Sequence, residues 1–337
     1  MSGRVRSLAV LGCLLQVACG GGSGGSAPAE KPAAAGSAPV GKLSGEVAEA
    51  QGLLKAGRAD EALARLQQSQ SPEALYLQGE AWAKKSEGAP LPTPEALPPG
   101  SPRGAVAVTP EFKPEEMTAL GFYERAVAAM AGDPRPHAGI ARLLAPHAQR
   151  RFDAEQAADA TRKPAVKVKG KVQTPPPTPA PEGPDFSPAR VAREWHEAAA
   201  AKDSTVETLD ALYAFAVHTS LLEEAEWVLK ERIRRENENP DHLIRYGDFL
   251  RELKKAPEAA QEQYRTALIW RPDDKATKLR IGDIYIDMGV AHYQKAEYAT
   301  AEARFQDATK WITDRSSEQY QRLDREMTRL RRLRGGN

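Results

Sequence analysis

Few residues in this sequence have the type and spacing that chemistry needs. The six histidines are His137, His147, His196, His218, His242 and His292, and none forms an H-x-x-x-H or H-E-x-x-H pair. Such pairs put two ring nitrogens on one helix face for a metal. The close cluster of histidine and carboxylate is Glu194-Trp195-His196-Glu197, whose members point to different sides of a helix. Both cysteines, Cys13 and Cys19, lie at the very start, so disulfides, zinc-thiolate sites and cysteine nucleophiles are not expected in the folded part. No glycine-rich loop lies between a strand and a helix to cradle phosphate; Gly20 to Gly25 reads as a tether. Lys plus Arg total 47 against 46 for Asp plus Glu. That balance gives no reason to expect nucleic acid, which needs a clustered positive excess. The expectation is no catalytic residue, no metal and no cofactor.

The N-terminus carries an address. Arg4 and Arg6 precede an apolar run, Leu8 to Ala18, that ends at Cys19. A basic start, a short apolar run and a small residue before the cut make a secretory signal, residues 1–18. A membrane span needs roughly 20 apolar residues, and Gln16 interrupts this shorter run. The stretch Leu14-Leu15-Gln16-Val17-Ala18-Cys19 resembles a bacterial lipobox, in which the cysteine becomes the first mature residue and is acylated. It departs from the pattern at Gln16, where Leu is usual. Cys13, behind Val10-Leu11-Gly12, is the weaker candidate because its apolar run is very short, and a cleaved signal without lipid is a further alternative. Residues 19–43 then read as a flexible Gly/Ala/Pro tether. By resemblance to lipoprotein sorting in enteric bacteria, Gly20 in place of Asp implies the outer membrane, facing the periplasm. Acylated Cys19 would hold the chain to the lipid bilayer.

The elements behind the tether repeat. Hydrophobic residues make up 41% of the chain but aromatic ones only 6%, which favours helices packed through small residues. The clearest unit, Pro240 to Pro272, holds Leu243, Tyr246-Gly247 and Leu250 on one helical face, then Ala260, Tyr264, Ala267 and Pro272. It resembles the tetratricopeptide repeat, a helix-turn-helix of about 34 residues. There a small residue at position 8 meets an aromatic at 24, with alanines at 20 and 27. The last unit matches with Gly289, Ala301, Phe305 and Ala308; Gly282 also fits position 8, which implies a first helix lengthened by two turns, about Lys275 to Lys295. The unit with helices Val206–Thr219 and Leu221–Glu236 is degenerate, with Ser220 at position 15 and Arg232 at 27. Further upstream, Gly79 pairs in register with Ala119, Tyr123 and Ala126, and Ala141 falls at position 8 of the next helix.

The resemblance implies an all-α, tetratricopeptide-like solenoid interrupted by Pro-rich disordered insertions. Its expected parts are degenerate helices over 44–162 with an insertion at 86–114, a Lys/Pro-rich linker at 163–187, an array over 188–313 and a capping helix with tail over 314–337. Proline density excludes helix in both interruptions, and the second is expected to separate two helical subdomains. The cap would bury Tyr320, Leu323, Met327, Leu330 and Leu333.

Function then falls to binding. Lytic transglycosylases, also exported and sometimes built on helical superhelices, are set aside because their motif places Glu before Ser and this chain has no Glu-Ser dipeptide. In the repeat family the first helix of each hairpin lines a groove. The resemblance nominates Asp241, Ile244, Asp248, Arg251 and Glu252, then Asp283, Ile286, Val290, Tyr293 and Gln294. The unit from Val206 offers Glu207, Asp210, Ala214, Val217 and His218. Acidic positions with apolar neighbours would suit a basic or amphipathic peptide. The expected protein is a membrane-tethered scaffold for envelope partners, with assembly of a secretion or pilus complex as a narrower version. The second possibility is a tether to the cell wall through the Lys/Pro linker.

Overall fold

The computed structural model describes residues 45–89, 112–161, 185–202 and 204–335. The signal segment, Cys19, the tether and the cores of both Pro-rich stretches lie outside the described residues. Within those described there are thirteen helices and no strand. They pair as α1 (Gly45–Lys55) with α2 (Ala59–Leu66), α3 (Pro72–Gly88) with α4 (Pro114–Ala129), and α5 (Pro134–Thr161) with α6 (Pro188–Ala200). The pairs continue as α7 (Val206–His218) with α8 (Leu222–Arg235), α9 (Pro240–Glu252) with α10 (Pro257–Trp270), and α11 (Lys275–Gln294) with α12 (Tyr298–Thr309); α13 (Glu318–Gly335) follows.

Helix starts follow from local chemistry. Ser71-Pro72, Ser187-Pro188 and Asn239-Pro240 each place a capping side chain before a proline in the first turn. The cap satisfies a free amide, and proline forfeits none that the helix would use. The turns inside hairpins share a second device. Gly57, Ser220, Lys255 and Ala296 all adopt positive φ, at 77°, 59°, 55° and 62°. This left-handed residue ends the first helix and returns the following amide to its carbonyls: Leu221 N–H reaches Ala216 O at 2.8 Å, and Glu297 N–H reaches His292 O at 3.0 Å.

The core runs as three apolar clusters. One joins α1 to α3, one spans the region from Phe112 to Val228, and one extends from Ala216 to Leu330. Tyr76 packs against the first two, while Tyr213 and Leu221 pack against the last two, so neighbouring hairpins share side chains. That sharing is why a single hairpin cannot stand alone.

Register explains the close contacts. A Cβ at Gly247 would lie 2.4 Å from the Tyr264 ring, one at Gly289 would lie 2.4 Å from Phe305, and one at Gly79 would lie 2.7 Å from Tyr123. These are the expected meetings of positions 8 and 24. In the lengthened α11, Gly282 receives Ile312 from beyond α12, so both glycines are used. Ala141 is fully buried, but Gly139 makes the close approach to Tyr123 from α5.

Two expectations change. The helices flanking the Lys/Pro stretch do not open separate subdomains: α5 packs against α6, and His137 Nδ1 lies 2.8 Å from Glu194 Oε2. Both Pro-rich stretches therefore fall between the two helices of a hairpin. α5 is also much longer than its repeat counterparts and carries Pro146 within it. In α13, Leu323 and Leu330 are buried as expected, yet Leu333 is 48% exposed.

Candidate partner-binding surface

The face formed by the first helices holds a continuous charge ladder. Asp248 on α9 accepts a hydrogen bond from the Tyr264 hydroxyl at 2.6 Å and another from Arg280 Nε of α11 at 2.9 Å. Arg251 reaches Asp287 at 2.9 Å and Asp283 at 3.9 Å, and Asp241 pairs with Arg271 at 2.9 Å. The same design stands upstream: Glu80 accepts from Tyr123 at 2.9 Å and Arg142 at 2.6 Å, while Glu73 accepts from Arg135 at 2.7 Å. Burial, reinforced by these carboxylates, raises the Tyr264 and Tyr123 hydroxyls and keeps them protonated as donors.

The nominated residues divide accordingly. Asp241, Asp248, Arg251 and Asp283 are engaged with charged or polar partners elsewhere in the protein, so three of the four acidic positions are paired internally. Desolvation raises Asp283 even though Arg251 and Arg322 work against it. Ile286 is fully buried and belongs to the core, because the next packed element, α13, continues the array over α11. Ile244 and Val290 are half-buried against the same cluster. Glu252 and Gln294 are exposed, and Tyr293 lies under the Arg329 guanidinium, 5.0 Å from the ring centre.

A depression of which the family positions nominated Glu207 alone lies further upstream. It crosses α3, α5, α6 and α7, encloses about 450 Å³, and is lined by Tyr76, Ala138, Arg142, Trp195, Thr208 and Ala211 among others. Burial, then Glu80, pushes the Tyr76 phenol up to about 12. The Arg135 guanidinium stacks 5.0 Å from the Tyr76 ring centre. Trp195 is 6% exposed, and its indole N–H finds no acceptor. A buried, unsatisfied donor is costly. Tyr76 follows Leu75 at position 4, so its register was readable; the contribution of α6 was not, because a long insertion separates α6 from its partner.

Every histidine faces a carboxylate. Each lies within 3.4 Å of a carboxylate: His137 with Glu194, His147 with Glu116, His196 with Glu224, His218 with Asp153, His242 with Glu236 and His292 with Glu297. The Glu194–Glu197 cluster thus splits, with Glu194 turned to α5 and His196 to α8. Among the described residues no group of three or more His, Cys, Asp or Glu side chains is placed to hold a metal ion. No helix among them is long and apolar enough to cross a membrane.

No family model and no curated protein matches the chain. Solved structures that it is similar to include PilF of Pseudomonas aeruginosa, at 11% identity over 83% of this chain and 96% of that one, with a TM-score of 0.31. The C-terminal part of a tetratricopeptide-repeat-containing protein of Cytophaga hutchinsonii is 9% identical over 79% of each chain, with a TM-score of 0.36. YrrB, described as a tetratricopeptide protein with an unusual peptide-binding site, is 12% identical over 59% of this chain and 79% of its own, with a TM-score of 0.28. The packing register of the chain itself defines the fold: small residue against aromatic, left-handed hairpin turn, and shared clusters between neighbours. By that geometry the chain is an all-α array of tetratricopeptide-type helical hairpins.

Proposed function

We propose that this protein is an adaptor that binds a segment of a partner protein in the cleft between α3, α5, α6 and α7 of its upstream hairpins. The observation that carries this reading is the depression over α3, α5, α6 and α7, where Tyr76, Trp195 and two threonines line one cleft. Aromatic walls with a few polar groups are what peptide recognition uses. Trp195→Phe trims one aromatic side of the cleft and keeps an aromatic side chain, so partner binding should weaken while the fold persists.

The envelope setting is the finer part of the proposal and rests on the sequence. Cys19 behind an apolar run, followed by a glycine tether, supports a lipid-anchored protein whose array faces the periplasm from the outer membrane. Support of a secretion or pilus assembly is the narrower version. Cell fractionation of Cys19→Ser tests the anchor: release into the soluble fraction supports it, and unchanged membrane retention rejects it. The second reading, a link to the cell wall, is favoured by the basic stretch Lys163, Lys167, Lys169 and Lys171. Peptidoglycan pull-down with residues 163–187 deleted decides it, since unchanged retention sinks that role.

A further inference from the structure

The first-helix faces of α9 and α11 neutralise their own charge, whereas α13 leaves charge open. Arg322 of α13 reaches Asp287 at 2.7 Å and Asp283 at 3.8 Å, mirroring Arg251 on the other side of α11. The same helix side continues through Arg325, Arg329 and Arg332, because steps of three and four residues return to one face. Arg329 lies over Tyr293 and approaches Glu326 only at 3.9 Å. Arg325 and Arg332 are exposed and make no ion pair among the described residues. Between this face and the end of α11 is a cleft of about 470 Å³, lined by Tyr293, Arg325, Thr328, Arg329, Arg332 and the half-exposed Leu333, with Asp324 also on its wall.

We propose that this cleft binds an acidic, partly apolar segment of a partner protein. The guanidinium groups of Arg325 and Arg332 take its carboxylates, and Tyr293 and Leu333 receive an apolar side chain. The site extends the adaptor reading to a second contact. Charge complementarity selects the occupant: the strip is positive where the neighbouring faces are balanced. A flat bilayer does not enter a cleft between two helices. Three arginines also fall short of the phosphate contacts that hold nucleic acid. Arginines near the end of a helix favour its dipole in any case. Arg331 does that equally from the opposite side of α13, which makes it the internal control.

The test is fluorescence anisotropy of the full chain with a labelled Glu/Leu peptide and a Lys/Leu peptide of equal length. The Glu/Leu peptide should bind, the Lys/Leu peptide should not, and added salt should weaken binding. Arg325→Glu with Arg332→Glu should weaken it by about tenfold or more, with an unchanged far-ultraviolet circular dichroism spectrum. Arg331→Glu, an exposed reversal, should stay within about twofold. Equal binding by all variants overturns the proposal, as does equal binding of the two peptides. Co-sedimentation with phosphatidylglycerol vesicles, corrected for phosphatidylcholine vesicles, gives the other arm. Stronger retention on the anionic vesicles that drops equally in Arg331→Glu and Arg332→Glu marks a membrane surface and also overturns it. None of these results touches Trp195, so the adaptor reading stands or falls separately.

Discussion

At Gly247 the repeat leaves no room for a methyl group. An added Cβ would meet the rigid, fully buried ring of Tyr264 at 2.4 Å. Gly247→Ala should therefore cost about 1–3 kcal/mol, seen as a lower urea midpoint; an unchanged midpoint would mean that the hairpin has slack. Register made this glycine legible, because counting in repeat units predicts its aromatic partner. The ion pairs were not legible, since partners such as Arg280 and Asp248 lie more than thirty residues apart on different helices. Glu226 shows what they do for stability. Burial would raise this carboxyl, but hydrogen bonds from Lys230, Lys254 and the Tyr246 hydroxyl bring it down to about 2. A carboxylate depressed below its ordinary value contributes stability above pH 4.5 that is lost as pH falls toward 2. Glu226→Gln should flatten that acid limb in a pH series of thermal unfolding; an acid limb as steep as the parent's would contradict the assignment.

At the scale of elements, caps and turns dictated where helices begin. The expected helix from Lys275 to Lys295 is α11, Lys275–Gln294, and α6, Pro188–Ala200, starts where the array over 188–313 was expected to begin. Pairing across the insertions was harder, because nothing local tells α5 that its partner begins at Pro188. The structure answers with aromatic side chains. Phe112, just before α4, stacks on His147 with ring centres 4.1 Å apart and meets Phe186, just before α6, at 5.1 Å. Two helix starts that follow different insertions are thus fastened to one side chain of α5. Phe112→Ala removes both ring contacts from a buried position and should cost about 3 kcal/mol in chemical denaturation. A cost near that of an ordinary surface change, about 0.5 kcal/mol or less, would show that this junction contributes little.

For the whole molecule, shared clusters make the described hairpins interdependent, and three regions differ in what they leave open. Upstream lies an aromatic cleft, in the middle a largely self-paired ladder, and at α13 an open arginine strip. The repeat positions nominated mainly the middle region, where most charge is paired internally, and touched the two clefts only at Glu207 and Tyr293. Composition could not reveal this: a net charge of +1 says nothing of where pairs form. The most direct test of the adaptor account is site-specific photo-crosslinking in cells, with benzoylphenylalanine at Thr208 in the upstream cleft or at Ile269, which is 76% exposed on the second helix of another hairpin. The account predicts a discrete crosslinked partner from Thr208, lost when Trp195→Phe is added, and none from Ile269. Crosslinks of equal yield from both positions, or from neither, would contradict it.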